Sequence, residues 1–362
     1  MNSSLIPLYP EEVKRRKFRS SYAAPIVLVV TAFLLIAVFS IRFYRYVWQP
    51  NIHLEGKDHV FLYIPTGTDF EALTRIIRKD GFIRSEKSFR FVSRRKNYTG
   101  NVKAGRYRIT EGMNNNELVN ILRAGIQEPV EVKFTNARTP AELAGRIGRQ
   151  IEADSVDFIR LFNDPEYLRR FGLSPEQVFV LFIPNTYQFY WNTQAMQFMD
   201  RMSREMLSFW SGNRKALLDS TGLSIPDVVT LASIVEKETN NEEEKPDIAG
   251  VYINRLRKGW PLQADPTIIF ALQDFTIRRI KSEQLKVDSK YNTYRYKGLP
   301  PGPICIPSVR SVDAVLHYKK HKYMYFCAKE DLSGTHNFAE TLIQHQANAR
   351  KYQKALDKMN IR

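Results

Sequence analysis

An α+β fold behind a single N-terminal transmembrane helix is what the sequence predicts, on three observations. A run without a charged residue, YAAPIVLVVTAFLLIAVFSI at 22–41, is followed by short alternating segments such as HVFLYI that read as strands. These are interleaved with segments whose apolar residues recur every three or four positions between capping residues and glycine stops, the pattern of helices. The third observation is a carboxylate, Glu238, standing where one such helix would bury its next apolar side chain.

The uncharged run has the length of a span, since about 20 residues at 1.5 Å each cross the roughly 30 Å hydrocarbon core. Tyr22 at one end and Phe43, Tyr44, Tyr46 and Trp48 at the other supply interfacial aromatics. A cleaved signal peptide is the alternative, but the run is longer than a signal core and bulky SIRFYRY follows it where a small-residue cleavage site would stand. It therefore reads as a retained membrane anchor. Lys14, Arg15, Arg16, Lys17 and Arg19 precede it, against Arg42 and Arg45 behind it. This bias makes residues 1–21 a cytoplasmic basic tail and places the chain from about residue 49 outside.

The 362 residues allow two or three domains, and 43% hydrophobic with 12% aromatic residues is globular composition. A net charge of +16 calls for an anionic partner or surface: nucleic acid, phospholipid headgroups or an anionic wall polymer. The topology removes nucleic acid. Cys305 and Cys327 are too few for a disulfide scaffold or a four-thiolate zinc site and leave one optional disulfide. His317 and His321 in HYKKH lack an acidic neighbour and read as a solvated surface.

Residues 49–128 form a small module. HVFLYIPTG is a strand and turn, and DFEALTRIIRKDGF is a helix with apolar Phe70, Leu73, Ile76 and Ile77 and a stop at Gly81. KSFRFVSRRKN is a second helix, VKAGRYRIT a strand, and MNNNELVNILRAG a helix capped by an asparagine and ended by Gly125. A boundary near Glu128 opens the larger region, 129–362. PVEVKFTNARTPAELAGRIGRQI is strand, turn and helix with Thr139 as cap. DSVDFIRLFNDPEYLRRFG is helical with a break at Asn163, Asp164 and Pro165. VFVLFIPNTYQFYW is either an aromatic platform for sugar rings or core. QAMQFMDRMSREMLSFW is an amphipathic helix whose methionines pack.

At Val228–Asp265 helical periodicity meets carboxylates. Ser224, Pro226 and Asp227 mark a helix start. Val228, Leu231, Ile234 and Val235 then repeat at helical spacing, and the next member of the series is Glu238. A carboxylate on an apolar face is costly unless paired, and desolvation raises its pKa toward that of a general acid at neutral pH. The plainer alternative is an ion pair at a helix end. Glu236 lies about 200° around the helix and reads as a structural pair with a base. Glu242, Glu243 and Glu244 read as a solvated acidic loop. Gly-rich phosphate loops, a Walker lysine, a GxSxG elbow, internal repeats and low-complexity segments are not found.

From Leu231 onward the chain resembles the YceG-like endolytic murein transglycosylase family. The matching strings are LASIVEKET at 231–239, VYINRL at 251–256, PLQADPT at 261–267, YNTY at 291–294 and GLPPGPI at 298–304. Pro307 and THNF at 335–338 complete the order, and KAGRYRI at 103–109 resembles the strand of a LysM-like module. The resemblance implies a LysM-like module at 49–128 followed by a mixed α/β catalytic domain at 129–362. It also implies an inner-membrane enzyme that cuts the MurNAc-GlcNAc β-1,4 bond within glycan strands and leaves 1,6-anhydroMurNAc ends, with no cofactor or metal. The partners implied are peptidoglycan and the membrane, with wall-synthesis or division proteins beside them.

By the same resemblance Glu238 is the catalytic residue, acid first and base second. Asn254, Gln263, Asp265, Thr267, Tyr291, Asn292 and Tyr294 lie around the substrate. All but Thr267 have a structural alternative: buried amides for Asn254 and Gln263, a helix cap for Asp265, a packed loop for Tyr291–Tyr294. The family's FPDTY turn is FIPNTY here, with Asn185 in place of the aspartate. Two other functions compete: a non-catalytic scaffold that holds peptidoglycan, and a conventional hydrolase with Asp265 as second carboxylate.

Overall fold

The computed structural model describes residues 23–358; the basic tail and Tyr22 of the expected span lie outside them. The chain divides between Gln127 and Glu128 into two compact units.

The first unit begins with α1, Ala23–Trp48, which outruns the expected span by a further two turns. Nothing in SIRFYRYV breaks a helix, and the residue before Pro50 is where α geometry becomes unfavourable. Its apolar side chains from Ile26 to Ile41 are exposed, and the helix is long and apolar enough to cross a membrane. There follow β1 (His59–Ile64), α2 (Phe70–Asp80), α3 (Glu86–Arg95), β2 (Gly105–Thr110) and α4 (Asn115–Ala124). β1 and β2 pair antiparallel, with Leu62 opposite Tyr107. Local chemistry explains the boundaries. Asp69, Ser85 and Asn114 cap the three helices, Asn114 in a reciprocal box with Glu117, and Gly81 and Gly125 end α2 and α4 in the left-handed conformation. Leu62, Leu73, Ile77, Phe89, Tyr107 and Leu118 form this unit's core.

The second unit is mostly helical. Its elements are β3 (Val130–Phe134), α5 (Pro140–Gly148), α6 (Ser155–Phe162), α7 (Pro165–Arg169), a 3₁₀ turn (Pro175–Leu181), β4 (Asn185–Phe189), α8 (Ala195–Phe209) and α9 (Asn213–Thr221). Then come α10 (Ile225–Glu238), α11 (Lys245–Arg257), α12 (Asp265–Leu272), a 3₁₀ turn (Gln284–Lys286), α13 (Val309–Leu316), β5 (Tyr325–Ala328), β6 (His336–Ala339) and α14 (Leu342–Lys358). β3 pairs with β4 and β5 with β6, both antiparallel. Thr139 caps α5, and the methionines Met199, Met202 and Met206 of α8 are buried.

The aromatic stretch resolves as core: Phe179, Phe182, Tyr187 and Phe189 are buried, with Phe189 stacked on Phe198 at 4.3 Å between centroids. The sugar-platform alternative therefore falls for these four rings. Asn185 is exposed and bonds the Thr186 N–H.

α10 is buried all round from Val228 to Val235, not along one stripe, because α11, α12, α13 and the first 3₁₀ turn surround it. The turn in GLPPGPI passes so close to the first 3₁₀ turn that a Cβ on Gly302 would lie 1.9 Å from the Glu176 carbonyl oxygen, which admits only glycine. Cys305 and Cys327 are both free thiols, so the optional disulfide is not formed.

Candidate active site

The ends of two helices, the face of a third and one loop build the site. Ser224 and Asp227 cap α10 reciprocally and fix where it starts; fourteen residues later it ends on Glu238. Thr239 turns extended, so the glutamate stands at the helix's last turn with the chain leaving it. The Tyr252 hydroxyl on α11 donates to Glu238 Oε1 at 2.6 Å. Arg255 is three residues on, hence on the same face as Tyr252. It is buried, with Nε on the Met324 carbonyl at 2.8 Å and Nη1 on that of Leu262 at 2.6 Å. Asp265 is the first residue of α12, and the Tyr294 hydroxyl donates to its Oδ1.

These neighbours pull the Glu238 proton in opposite directions. Burial of the carboxyl is the largest influence and raises its pKa; the Tyr252 hydrogen bond lowers it, the Asp265 charge raises it and the Arg255 charge lowers it. The balance is an acid pushed up to about 7. Some of the residue's surface stays open, while the carboxyl group itself is largely desolvated. Burial and the Glu238 charge push the Tyr252 phenol well above its ordinary value, so it remains a donor throughout. Arg255 is pulled down by burial.

A second carboxylate on α10 does different work. Burial pushes Glu236 up, but hydroxyl donors from Ser308 and Ser311 and the Lys245 ammonium more than offset it, and its pKa is lowered. Lys245 Nζ stands 3.2 Å from Glu236 and 2.9 Å from Glu242, and the lysine side chain is 3% exposed. This clamp joins α10, α11 and α13, and it is the structural pair expected of Glu236. The acidic loop is not solvated as expected, because two of its three glutamates are engaged. Glu242 shares Lys245, and Glu244 receives both the His336 N–H at 2.8 Å and its ring Nδ1 at 2.9 Å. Only Glu243 is exposed. His336 thereby fixes the β5–β6 hairpin, whose Phe326 packs edge-on against Tyr252 at 5.8 Å.

Of the residues expected around the substrate, Asp265 and Tyr294 join Glu238. Asp265 does not cap its helix; Ala264 holds the cap position, leaving the carboxylate exposed and bonded to Tyr294. Gln263 is not a buried amide. It is exposed, holds a left-handed φ of 51°, and bonds through its backbone N–H to the Thr293 carbonyl. A non-glycine residue held there stores strain of order 1 kcal/mol.

The other residues expected around the substrate have structural partners within the protein. Asn254 donates both amide hydrogens to the carbonyls of His321 and Tyr323, pinning that segment along α11. His321 in turn bonds the Asp247 carbonyl and packs over Gly250, so it is not a merely solvated residue. Thr267 is fully buried between Ala264 and Thr293. Asn292 is fully buried, donating to Leu285 and Val287 and accepting from the N–H groups of Tyr294 and Arg295. Tyr291 lies against Phe270 at 4.6 Å. Amides in apolar strings satisfy buried backbone as often as ligands, and here the backbone took them. Asn292→Ala should therefore destabilise the protein by about 2–4 kcal/mol in a denaturant melt, since it orphans the backbone groups of a loop. A loss of substrate affinity with unchanged stability would contradict that role.

Tyr252 and Arg255 were not singled out from the sequence. The available signal was an arginine and a tyrosine three apart inside the apolar string VYINRL, two polar groups that burial obliges to find partners.

A family model described as the YceG-like family matches residues 62–351. A protein of Bacillus subtilis named endolytic murein transglycosylase is 27% identical over 317 residues, which span 83% of this chain and 87% of that protein. One of the same name from Streptococcus pneumoniae R6 is 26% identical over 346 residues, 85% of this chain and 61% of its own length. A crystal structure of a YceG-like protein from Listeria monocytogenes is similar with a TM-score of 0.53 at 28% identity, covering 81% of this chain and 99% of that one.

Proposed function

This chain belongs to the YceG-like family, and from that premise we propose that it is a membrane-anchored lytic transglycosylase that cuts peptidoglycan glycan strands internally. The observation that carries this reading is Glu238, a carboxyl at the end of α10 held near pKa 7 by burial against the pull of Tyr252 and Arg255. The relatives named endolytic murein transglycosylases support the substrate and the reaction class.

In this mechanism protonated Glu238 gives its proton to the oxygen of the MurNAc-GlcNAc bond as the C1–O bond breaks. The C6 hydroxyl of the same muramic acid attacks C1, and Glu238, now a carboxylate, takes the hydroxyl proton. One carboxyl serves twice because the nucleophile is intramolecular, a geometry that supplies much of the rate by proximity. Tyr252 orients the carboxyl through Oε1, leaving Oε2 to carry the proton. Asp265, exposed beside it, helps keep the acid protonated and offers negative charge to an oxocarbenium-like centre. Tyr294 and Gln263 complete the substrate side. α1 anchors the enzyme with its N-terminus in the cytoplasm and the catalytic unit outside. The first unit, with its strand, helix, helix, strand order, holds glycan as a LysM-like module, and wall-synthesis proteins are the partners that would deliver nascent strands for trimming.

Asp265 favours one competing reading, a hydrolase in which it acts as the second carboxylate. Asp265→Asn separates the two. In the transglycosylase it lowers the Glu238 pKa by removing a like charge, so the alkaline limb of the rate profile moves to lower pH while anhydro products persist. In the hydrolase it abolishes cleavage. Tyr252→Phe should move the same limb to higher pH, because it removes the hydrogen bond that favours the carboxylate. Shifts of the same sign in both variants would contradict the assignment.

A further inference from the structure

A cavity of about 580 Å³ opens where α1 leaves its apolar run. Val38 and Ile41, about 60% exposed, form one wall; Arg42, Arg45, Arg84 and Ser85 are among the residues that line the rest. Its polarity is graded. The hydrocarbon wall continues the lipid-facing surface of α1, and the guanidinium groups lie beyond the last apolar turn.

The three arginines make no ion pair among the described residues, in contrast to Arg78 and Arg90 of the same unit, which are bound by Glu86 and Glu71. Arg42 bonds only the Tyr46 hydroxyl at 3.4 Å, and Arg84 lies near enough to Glu111 to help lower its pKa without pairing with it. Three cations with no ion-pair partner among the described residues, gathered around one cavity, repel one another unless an anion sits among them.

The cavity's rim is well held. Asn115 donates to the Tyr46 carbonyl at 2.8 Å and to Ser88 Oγ at 2.9 Å, and Asn51, itself buried, bonds both Asn115 and the Ser85 backbone. Phe43 and Tyr46 pack edge-on against Phe91 of α3. The end of α1 is thus fixed against α3 and α4, and the arginines sit on a rigid frame. Across α3 a second cavity, lined by Tyr46, Lys87, Arg94 and Arg95 among others, continues the positive surface.

We propose that this cavity binds the headgroup of an anionic phospholipid, with Arg42, Arg45 and Arg84 on the phosphate and Val38 and Ile41 against the first acyl carbons. A ligand apolar at one end and doubly oxygenated and anionic at the other matches the grading, and guanidinium forks suit phosphate oxygens. Cations just outside the span also find their counter-charge in this way at any leaflet that carries anionic headgroups. The site would hold the first unit down on the leaflet and set its standing relative to the bilayer. The inference uses α1 as a membrane helix and does not depend on the glycan chemistry.

The test uses the full chain in a neutral detergent, titrated separately with short-chain phosphatidylglycerol, short-chain phosphatidylcholine and inorganic phosphate. Native mass spectrometry reads bound copies and a thermal melt reads stabilisation. Phosphatidylglycerol should bind and raise the melting temperature, more weakly at high salt, while the other two do neither at matched concentration. The triple change R42Q/R45Q/R84Q should weaken the phosphatidylglycerol interaction by roughly a hundredfold, from three membrane-proximal cations. R42K/R45K/R84K should keep most of it, and Lys354→Gln on the terminal helix should keep all of it. An unchanged far-ultraviolet circular dichroism spectrum and lipid-free melting temperature of the triple glutamine variant would show that its fold is intact. Equal binding of phosphatidylcholine, equal stabilisation by inorganic phosphate, or full phosphatidylglycerol binding by the glutamine variant would each overturn the proposal.

Discussion

Glu238→Gln should lower glycan cleavage by about 10²–10⁴-fold, the scale of a lost general acid and base. The amide is nearly isosteric and still accepts from Tyr252 through its oxygen, so the packing of α10 on α11 survives. The same variant should gain stability with a definite pH dependence. Glu238 has a folded pKa raised above its unfolded value, so its favourable contribution is complete below about pH 4.5 and is lost as pH rises through about 7. Glutamine mimics the protonated acid at every pH. The melting temperature should therefore match the wild type near pH 4 and exceed it at pH 8, a trade of stability for activity common at catalytic groups. A variant less stable than wild type at pH 8 would mean that the carboxylate is paired there, and that the plainer ion-pair alternative holds.

Lys245→Met should destabilise the protein by about 3–5 kcal/mol near pH 7, since it leaves the largely buried Glu236 carboxylate without its cation. The sign with pH is opposite to that at Glu238. Glu236 has a lowered folded pKa, so it contributes stability above its unfolded value, and that contribution is lost as pH falls through the folded one. Removing Lys245 raises the Glu236 pKa, so the penalty should shrink in acid, where the carboxyl is protonated. Glu236→Gln in the same background should recover part of the loss by removing the charge while an amide oxygen still accepts from Ser308. A penalty independent of pH would show that Lys245 acts by packing of its stem and not by its charge.

These two glutamates, two residues apart, show what was legible in the sequence and what was not. The periodicity from Val228 assigned Glu238 and Glu236 to different faces, and the structure gives them different neighbours, Tyr252 for one and Lys245 for the other. The stripe itself was an underestimate, because α10 is enclosed on all sides by segments remote in sequence, and no local period reports that. Helix boundaries were legible because caps and glycine stops act within a few residues: Thr139, Gly81, Gly125 and, among the asparagines expected to cap α4, Asn114 all do what their local chemistry dictates.

The site's supporting residues were not legible in the same way. Asn254, Thr267 and Asn292 lie inside motif strings, and their polar atoms serve the backbone of loops whose paths depend on tertiary contacts. Gln263 and Asp265 kept their side chains on the surface for the converse reason: a left-handed turn and a neighbouring cap residue turned them outward from a buried string. Tyr252 and Arg255 became visible only when α11 was seen against α10. Cross-helix partners follow from packing, whereas a sequence displays only the face on which each residue lies.

In the proposed mechanism one carboxyl, with the substrate's own hydroxyl as nucleophile, suffices for the cut. This is tested most directly by mass spectrometry of the new ends that the full chain releases from intact peptidoglycan glycan strands. These should be 1,6-anhydro ends, about 18 Da lighter than hydrolysed ends because water is not added across the bond. Reducing ends carrying that added water would contradict it and make Asp265 the second carboxylate of a hydrolase.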